Sequence, residues 1–236
     1  MVHERTLVLC SERETCSELG EIWPKVNFAT VDVLGFSRSL IWGQKNYVSF
    51  LTLRTAIIRE LVMSGVPLIL FETDAIWFRN PLVYFKKSSQ DGDIVLPIKG
   101  YADEKGHTYS FDPMIVEPSA TTVKFFNEMF HRLLSNPKLY DQDVLDLLCK
   151  EQFAGVHCDS FAWESIADGL WFKLPARKKD ELRPYIVNNN YYLGVQAKIT
   201  RQALNGLWFL NLKGTCDWKK VAIATSNAIQ WTKRGF

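Results

Sequence analysis

Two periods alternate along this chain. Short apolar runs at residues 6–10, 26–33, 66–71, 93–97, 114–116 and 185–187 predict strands. Between several of them, apolar residues recur every third or fourth position, as on one face of a helix. The strongest such pattern, Tyr47, Phe50, Leu51, Ile57, Ile58, Leu61 and Val62, predicts a helix over residues 47–63, approached by a loop through Gly35 and Gly43 and stopped by Gly65 and Pro67. Further helices are predicted over 14–23, closed by Pro24; over 121–134, behind Ser119 as N-cap; over 141–150, opened by Asp141; and over 196–204, ending near Gly206. Strands alternating with helices predict an α/β domain with a largely parallel sheet. Residues 66–71 are almost wholly apolar, which predicts a central strand covered on both faces. Beyond Trp218 the pattern predicts no element.

Composition narrows the function classes. The 236 residues suffice for a full hydrophobic core and read as one domain, with two as the alternative. The net charge is +2, and basic residues are interspersed with acidic ones, so there is no electrostatic footprint for nucleic acid. The richest basic stretch, Arg177-Lys178-Lys179, runs into Asp180 and Glu181 and reads as a solvated loop. The longest apolar run, 61–71, is broken by Ser64, Gly65 and Pro67, so no segment has the length and apolarity of a membrane span. The N-terminus shows no secretory signal, and a strand begins almost at once. That fits a cytoplasmic protein if the chain is complete, or one whose anchor lies upstream. Five cysteines, an odd number without framework spacing, argue against a disulfide scaffold. Cys149 and Cys158 are open to two readings, a pair or two reduced thiols. No Cys/His spacing suggests zinc. His107, His131 and His157 stand alone. Trp163, Trp171, Phe172, Tyr191 and Tyr192 read as core, with a sugar-stacking platform as the other use of such rings.

The segment that carries chemistry is VPLILFETDAIWFRNPL, residues 66–82. Its apolar run leads straight into Glu72-Thr73-Asp74. A buried strand cannot keep two unpaired carboxylates in its interior, because each costs several kcal/mol. The strand therefore emerges at Glu72, with both acids at its carboxyl end, the rim where open α/β sheets bind ligands. Period-2 geometry puts the two acids on one side, roughly 7 Å apart in Cα terms. That suits a hard divalent cation whose shell is completed by water and phosphate oxygens. An exposed strand end with two solvated carboxylates has the same spacing.

The run FETDAIWFRNPL resembles the signature of the nucleotide-diphospho-sugar transferase family: an apolar strand, acid-x-Asp, an apolar pair around Trp77, then Asn80-Pro81. The likeness continues through Arg54 and Gly65 upstream. Downstream it takes in Gly92-Asp93, Asp141-Gln142, Asn188-Asn189-Asn190, Gly194, Lys198 and Gly206-Leu207-Trp208. The resemblance implies a single Rossmann-like glycosyltransferase type-A domain over residues 1–236, with a nucleotide and metal half at 1–98 and a sugar and acceptor half at 99–236. It also implies a UDP-sugar donor, a glycan or glycoprotein acceptor, Mn²⁺ or Mg²⁺ as cofactor, a retaining reaction, and residence in the Golgi lumen.

By resemblance, Asp74 is a metal-ligating acid, and Glu72 touches the metal or the donor. Asn188 stands at the position of a metal-ligating histidine and is a candidate ligand through its carbonyl oxygen, as well as a donor-binding residue. Lys198 neutralises the donor diphosphate. Arg54 and Gly194 line the donor site, and Asp141 and Gln142 lie near the transferred sugar. Asp141 is the nearest candidate for a covalent nucleophile; front-face attack without one is equally open. Two departures stand out. Asn188 replaces the family's histidine, and Asp112-Pro113-Met114 replaces its Asn-x-Gly, with proline where glycine allows close approach. These departures favour an alternative reading, a non-catalytic nucleotide-sugar or glycan-binding member. A phosphohydrolase would need more acids converging on the metal.

Overall fold

The computed structural model describes residues 3–31, 40–41, 43–89, 92–99, 108–191 and 193–233. The chain divides into two compact units, Met1–Leu51 and Thr52–Phe236. In the first, strand β1 (Leu7–Cys10) pairs in parallel with β2 (Asn27–Thr30), and helix α1 (Arg13–Ile22) connects them. A disulfide joins Cys10, at the end of β1, to Cys16 in α1, with Cα atoms 5.7 Å apart. The strand expected to reach residue 33 stops at Thr30; residues 32–39, Gly35 among them, lie outside the described residues, as do His107 and Tyr192.

Helix α2 (Lys45–Met63) follows, and then β3 (Leu68–Leu70). Next come β4 (Ile76–Trp77), α3 (Leu82–Ser88), β5 (Ile94–Leu96), β6 (Met114–Val116), α4 (Ala120–Ser135), α5 (Asp141–Lys150) and β7 (Cys158–Ser160). Then follow β8 (Ile166–Ala167), a 3₁₀ turn at Gly169–Lys173, α6 (Ala176–Leu182), β9 (Ile186–Val187), α7 (Val195–Leu204) and α8 (Trp218–Lys233). Ser119 caps α4 through a capping box with Thr122, as its position before the apolar run predicts.

The strands form a mixed α/β architecture. One sheet has the order β3-β6-β5-β7 and another the order β4-β9-β8. Pairs β5/β7 and β8/β9 are parallel; β3/β6, β5/β6 and β4/β9 are antiparallel. The expectation of a buried parallel strand over 66–71 is corrected. Only Leu68–Leu70 is strand, it pairs antiparallel with β6, and Ile69 and Phe71 are exposed. In this sheet the strands buried at every residue are the two in the middle, β5 and β6, where both faces are covered. Their Ile94, Leu96, Met114 and Val116 pack with Phe125, Phe126, Met129 and Leu133 of α4 and Leu145 and Leu148 of α5 to make the main core. Val95 and Ile115 face the other way, towards Phe85, Phe161, Ile166 and Ile186.

Two more expectations change. Arg177-Lys178-Lys179 lies on helix α6 rather than in a loop, where Arg177 and Lys178 both pair with Glu181 at helical spacing. Cys149 and Cys158 form a disulfide, Cα atoms 5.5 Å apart, tying the end of α5 to the start of β7. Among the described residues no helix is long and apolar enough to cross a membrane.

Candidate metal and donor site

Two strand registers converge on the acid triplet. Leu70 pairs with Met114 in the antiparallel β3/β6 ladder, so the residues after β3 meet those before β6. Ile76 pairs with Val187 in the antiparallel β4/β9 ladder, so the residues before β4 meet those after β9. Glu72 and Asp74 lie between β3 and β4, Asp112 just before β6, and Asn188 just after β9. The acids therefore sit on a turn between two sheets rather than on the strand itself.

The Glu72 backbone N–H donates to Asp112 Oδ1 at 2.6 Å. Glu72, Asp74 and Asp112 each offer a carboxylate oxygen within 4.8 Å of the other two. Asp74 Oδ2 accepts from Lys198 Nζ, and Gln202, one turn further along α7, reaches the Asp74 carbonyl at 3.5 Å. Asp74 Oδ1 is buried with no hydrogen-bond partner. An oxygen of that kind is costly unless something positive faces it. Three convergent carboxylates, one with an orphaned oxygen, fit a hard divalent cation with an oxygen shell.

Arg54, on α2, closes the other side. Its guanidinium lies 4.1 Å from the Phe111 ring centre and bridges Glu72 and Asp141. Asp141 Oδ2 takes Arg54 Nε at 2.9 Å and Nη2 at 2.5 Å, and Oδ1 takes the Gln142 backbone N–H at 2.8 Å. Burial works against the Arg54 cation, but Asp141 and Glu72 outweigh it and hold the guanidinium above its ordinary value. Among the described residues, four carboxylates thus face two cations, Arg54 and Lys198. A divalent cation matches the excess.

The carboxyl groups show the same imbalance. Burial, then the facing Glu72 and Asp74, push Asp112 well above the usual carboxylate range, against the Glu72 N–H and Arg54. Burial also raises Asp74, with Lys198 opposing and Glu72 adding, and raises Asp141 against Arg54. Unfolded, these groups titrate near about 4. A carboxyl with a higher pKa in the folded state stabilises the fold fully below the unfolded value, and loses that contribution as pH climbs through the folded value. The metal-free protein is therefore expected to melt at lower temperature as pH rises above about 4. A divalent cation that these acids hold, with Mn²⁺ as the probe, is expected to stabilise more strongly over the same interval, because ligation needs the deprotonated acids. Calorimetry across pH with EDTA or Mn²⁺ checks this; an Mn²⁺ effect independent of pH contradicts it.

The remaining predicted residues have separate places. Gly194 precedes α7 at φ +84, a conformation that suits glycine, and its carbonyl accepts the Lys198 N–H at 3.3 Å. Asn188 is buried, with its amide nitrogen against Asp112. Asn189 accepts from Arg201, and Asn190 Oδ1 accepts the Gly169 N–H at 2.6 Å. Gly92 and Asp93 serve the sheet, where Asp93 accepts the His157 N–H. Trp163, Trp171 and Phe172 are core. Asp112 is the site residue that sequence reasoning missed. A Cβ at Gly169 would overlap the Asn190 carbonyl and lie 2.8 Å from Asn190 Oδ1 and 3.0 Å from Arg201 Nη1. Gly169→Ala is expected to destabilise by about 1–3 kcal/mol, read as a lower denaturation midpoint in urea.

The fold is a mixed α/β domain that gathers acids and a lysine where two of its sheets meet, and the family match gives its class. The chain belongs to the nucleotide-diphospho-sugar transferase family, whose profile matches residues 1–202. It is 21% identical over 196 residues, 72% of this chain, to a UDP-galactose:fucoside alpha-3-galactosyltransferase of Dictyostelium discoideum. Over 230 residues, 88% of this chain, it is 21% identical to UDP-D-xylose:L-fucose alpha-1,3-D-xylosyltransferase 1 of Arabidopsis thaliana. Another UDP-D-xylose:L-fucose alpha-1,3-D-xylosyltransferase of A. thaliana is 22% identical over 230 residues. The matches take in 29%, 63% and 62% of those proteins, so the chain spans less than two thirds of each.

Proposed function

We propose that this chain is a metal-dependent glycosyltransferase that moves a sugar from a UDP-sugar to a glycan or glycoprotein acceptor with retention of configuration. The observation that carries this reading is the convergence of Glu72, Asp74 and Asp112, with Asp74 Oδ1 buried and unpartnered, beside Lys198. These three acids would hold Mn²⁺ or Mg²⁺. When bound, the cation supplies Lewis-acid stabilisation of charge on the leaving diphosphate.

The chain's own groups do the rest. Lys198 releases Asp74 and turns its ammonium to the diphosphate, where negative charge grows as the sugar bond breaks. Gly194 lets the phosphates approach the start of α7. Arg54 keeps Glu72 in register from the donor side. Asp141 Oδ2 is bound twice by Arg54 and Oδ1 accepts the Gln142 N–H, in a buried setting. That supports Asp141 as an anchor for Arg54 rather than a covalent nucleophile, with the acceptor attacking the face the diphosphate leaves. Gln142, half-buried beside it, lies near the transferred sugar.

The relatives' names share a UDP-sugar donor and a fucose-bearing acceptor, which makes a fucosyl glycan the first acceptor to test. An alpha product from an alpha-linked UDP-sugar retains configuration. The domain is read as one catalytic unit, with residues 1–98 serving nucleotide and metal and 99–236 serving sugar and acceptor. Two disulfides, Cys10–Cys16 and Cys149–Cys158, favour an oxidising compartment, and the Golgi lumen is the proposed location. Asp112 and Asn188, the departures behind the non-catalytic reading, both turn into the acid cluster and so favour the transferase.

The test is a panel of UDP-sugars with Mn²⁺, with and without fucosides. Hydrolysis or transfer from one donor, abolished by EDTA, is expected. Glycan binding with no donor turned over would overturn the assignment.

A further inference from the structure

We propose that Asn188 is a positioning residue that acts on the metal through Asp112 rather than as a ligand. This rests on the metal reading above. Both residues are buried, at 5% and 2% exposure. Asn188 Nδ2 donates to Asp112 Oδ2 at 2.8 Å and to the Asp112 carbonyl at 3.0 Å, so its two hydrogens have two acceptors. With Asp112 ionised, as a metal ligand is, the reverse amide orientation would set an oxygen against two oxygens with no proton between them, so the nitrogen is the end that faces Asp112. Its lone pair is delocalised into the amide and cannot ligate.

Asp112 is therefore held at both oxygens: Oδ1 by the Glu72 N–H at 2.6 Å, and Oδ2 by Asn188. Each oxygen keeps a further lone pair for a cation. The two donors fix the carboxylate, which has an oxygen within 4.8 Å of one of Glu72 and one of Asp74.

Asn188 is itself held in place by its neighbours. Its N–H donates to the Ala167 carbonyl at 2.8 Å. Asn189 Oδ1 takes Arg201 Nε at 2.8 Å, and Arg201 Nη2 reaches the Asn190 carbonyl at 2.7 Å. Asn189 Nδ2 reaches the Lys198 carbonyl at 3.4 Å. The three consecutive asparagines thus divide the work. Asn188 grips Asp112, Asn189 grips α7, which carries Lys198, and Asn190 grips the Gly169 turn. The run holds the third acid and the diphosphate lysine in one frame.

Partners that orient metal ligands are typically worth 10- to 100-fold in metal affinity. The experiment measures Mn²⁺ affinity by calorimetry in the presence of UDP, for wild type, Asn188→Ala, Asp112→Ala and the double variant. Asn188→Ala is expected to weaken Mn²⁺ binding about 10- to 100-fold. The double variant is expected to bind no more weakly than Asp112→Ala alone, because Asn188 has nothing left to position. Equal affinity for Asn188→Ala and wild type would overturn the proposal. So would a double variant weaker than Asp112→Ala by the full Asn188→Ala factor, the result for an independent ligand. Each variant is first checked by near-UV circular dichroism. Asn188→Ser, too short to reach Asp112, carries the same expectation should the alanine variant not fold. Wild type that takes up no Mn²⁺ would sink the metal reading as well, whereas failure confined to the Asn188 comparison sinks this inference alone.

Discussion

Asp74→Ala is expected to abolish Mn²⁺-dependent UDP binding and to lower donor turnover by at least about 10²- to 10³-fold, the loss typical of removing one transition-state stabilising group. Asp74 is the hinge of the cluster. Its Oδ2 holds Lys198, and its buried Oδ1 has no partner. Truncation removes a candidate ligand and frees Lys198 from the position in which the diphosphate would meet it. The fold should tolerate the change, because burial already raises the Asp74 pKa and disfavours its charge. Calorimetric titration with UDP and Mn²⁺, together with donor hydrolysis rates, checks both parts. Turnover equal to wild type would remove Asp74 from the chemistry.

Arg54→Ala should have the largest effect on stability. It strips the cation from Asp141, whose side chain is 3% exposed, and from Glu72, and removes the contact with the Phe111 ring. Removing one partner of a buried ion pair costs about 3–5 kcal/mol. For a chain of this size that lowers the thermal midpoint by roughly 6–20 °C. Adding Asp141→Asn to the variant is expected to restore part of the loss, since an amide leaves no uncompensated charge behind. A melting point for Arg54→Ala within about 2 °C of wild type would contradict the account of Arg54 as the anchor of this corner.

What the chain discloses before folding depends on how local the cause is. Helices α2, α4, α5 and α7 follow from periodicity and from stop or cap residues such as Gly65 and Ser119, so their ends fall within about two residues of expectation. Strands β4, β8 and β9 have two residues each, and β9 alone falls within a predicted run; a two-residue strand carries no period of its own and exists because neighbours pair with it. Glu72 and Asp74 were legible because a charged pair after an apolar run has few places to go. Asp112 was not, and the reason is strand direction. In a parallel pair the start of β6 would lie at the opposite end of the sheet from the end of β3. The antiparallel register of Leu70 with Met114 is what brings Asp112 to Glu72. The same logic hid the role of Asn188, which depends on the β4/β9 ladder. The Asp-Pro pair read as a departure from the family pattern supplies an acid where the family pattern has an amide.

The central claim is that Glu72, Asp74 and Asp112 converge on one divalent cation in reach of a diphosphate. Anomalous diffraction from crystals grown with UDP and Mn²⁺ tests it most directly. A single manganese peak among those three carboxylates, with phosphate oxygens on its open side and Lys198 turned towards them, is the predicted result. Manganese held elsewhere, or UDP bound with no metal between its phosphates and these acids, would contradict it.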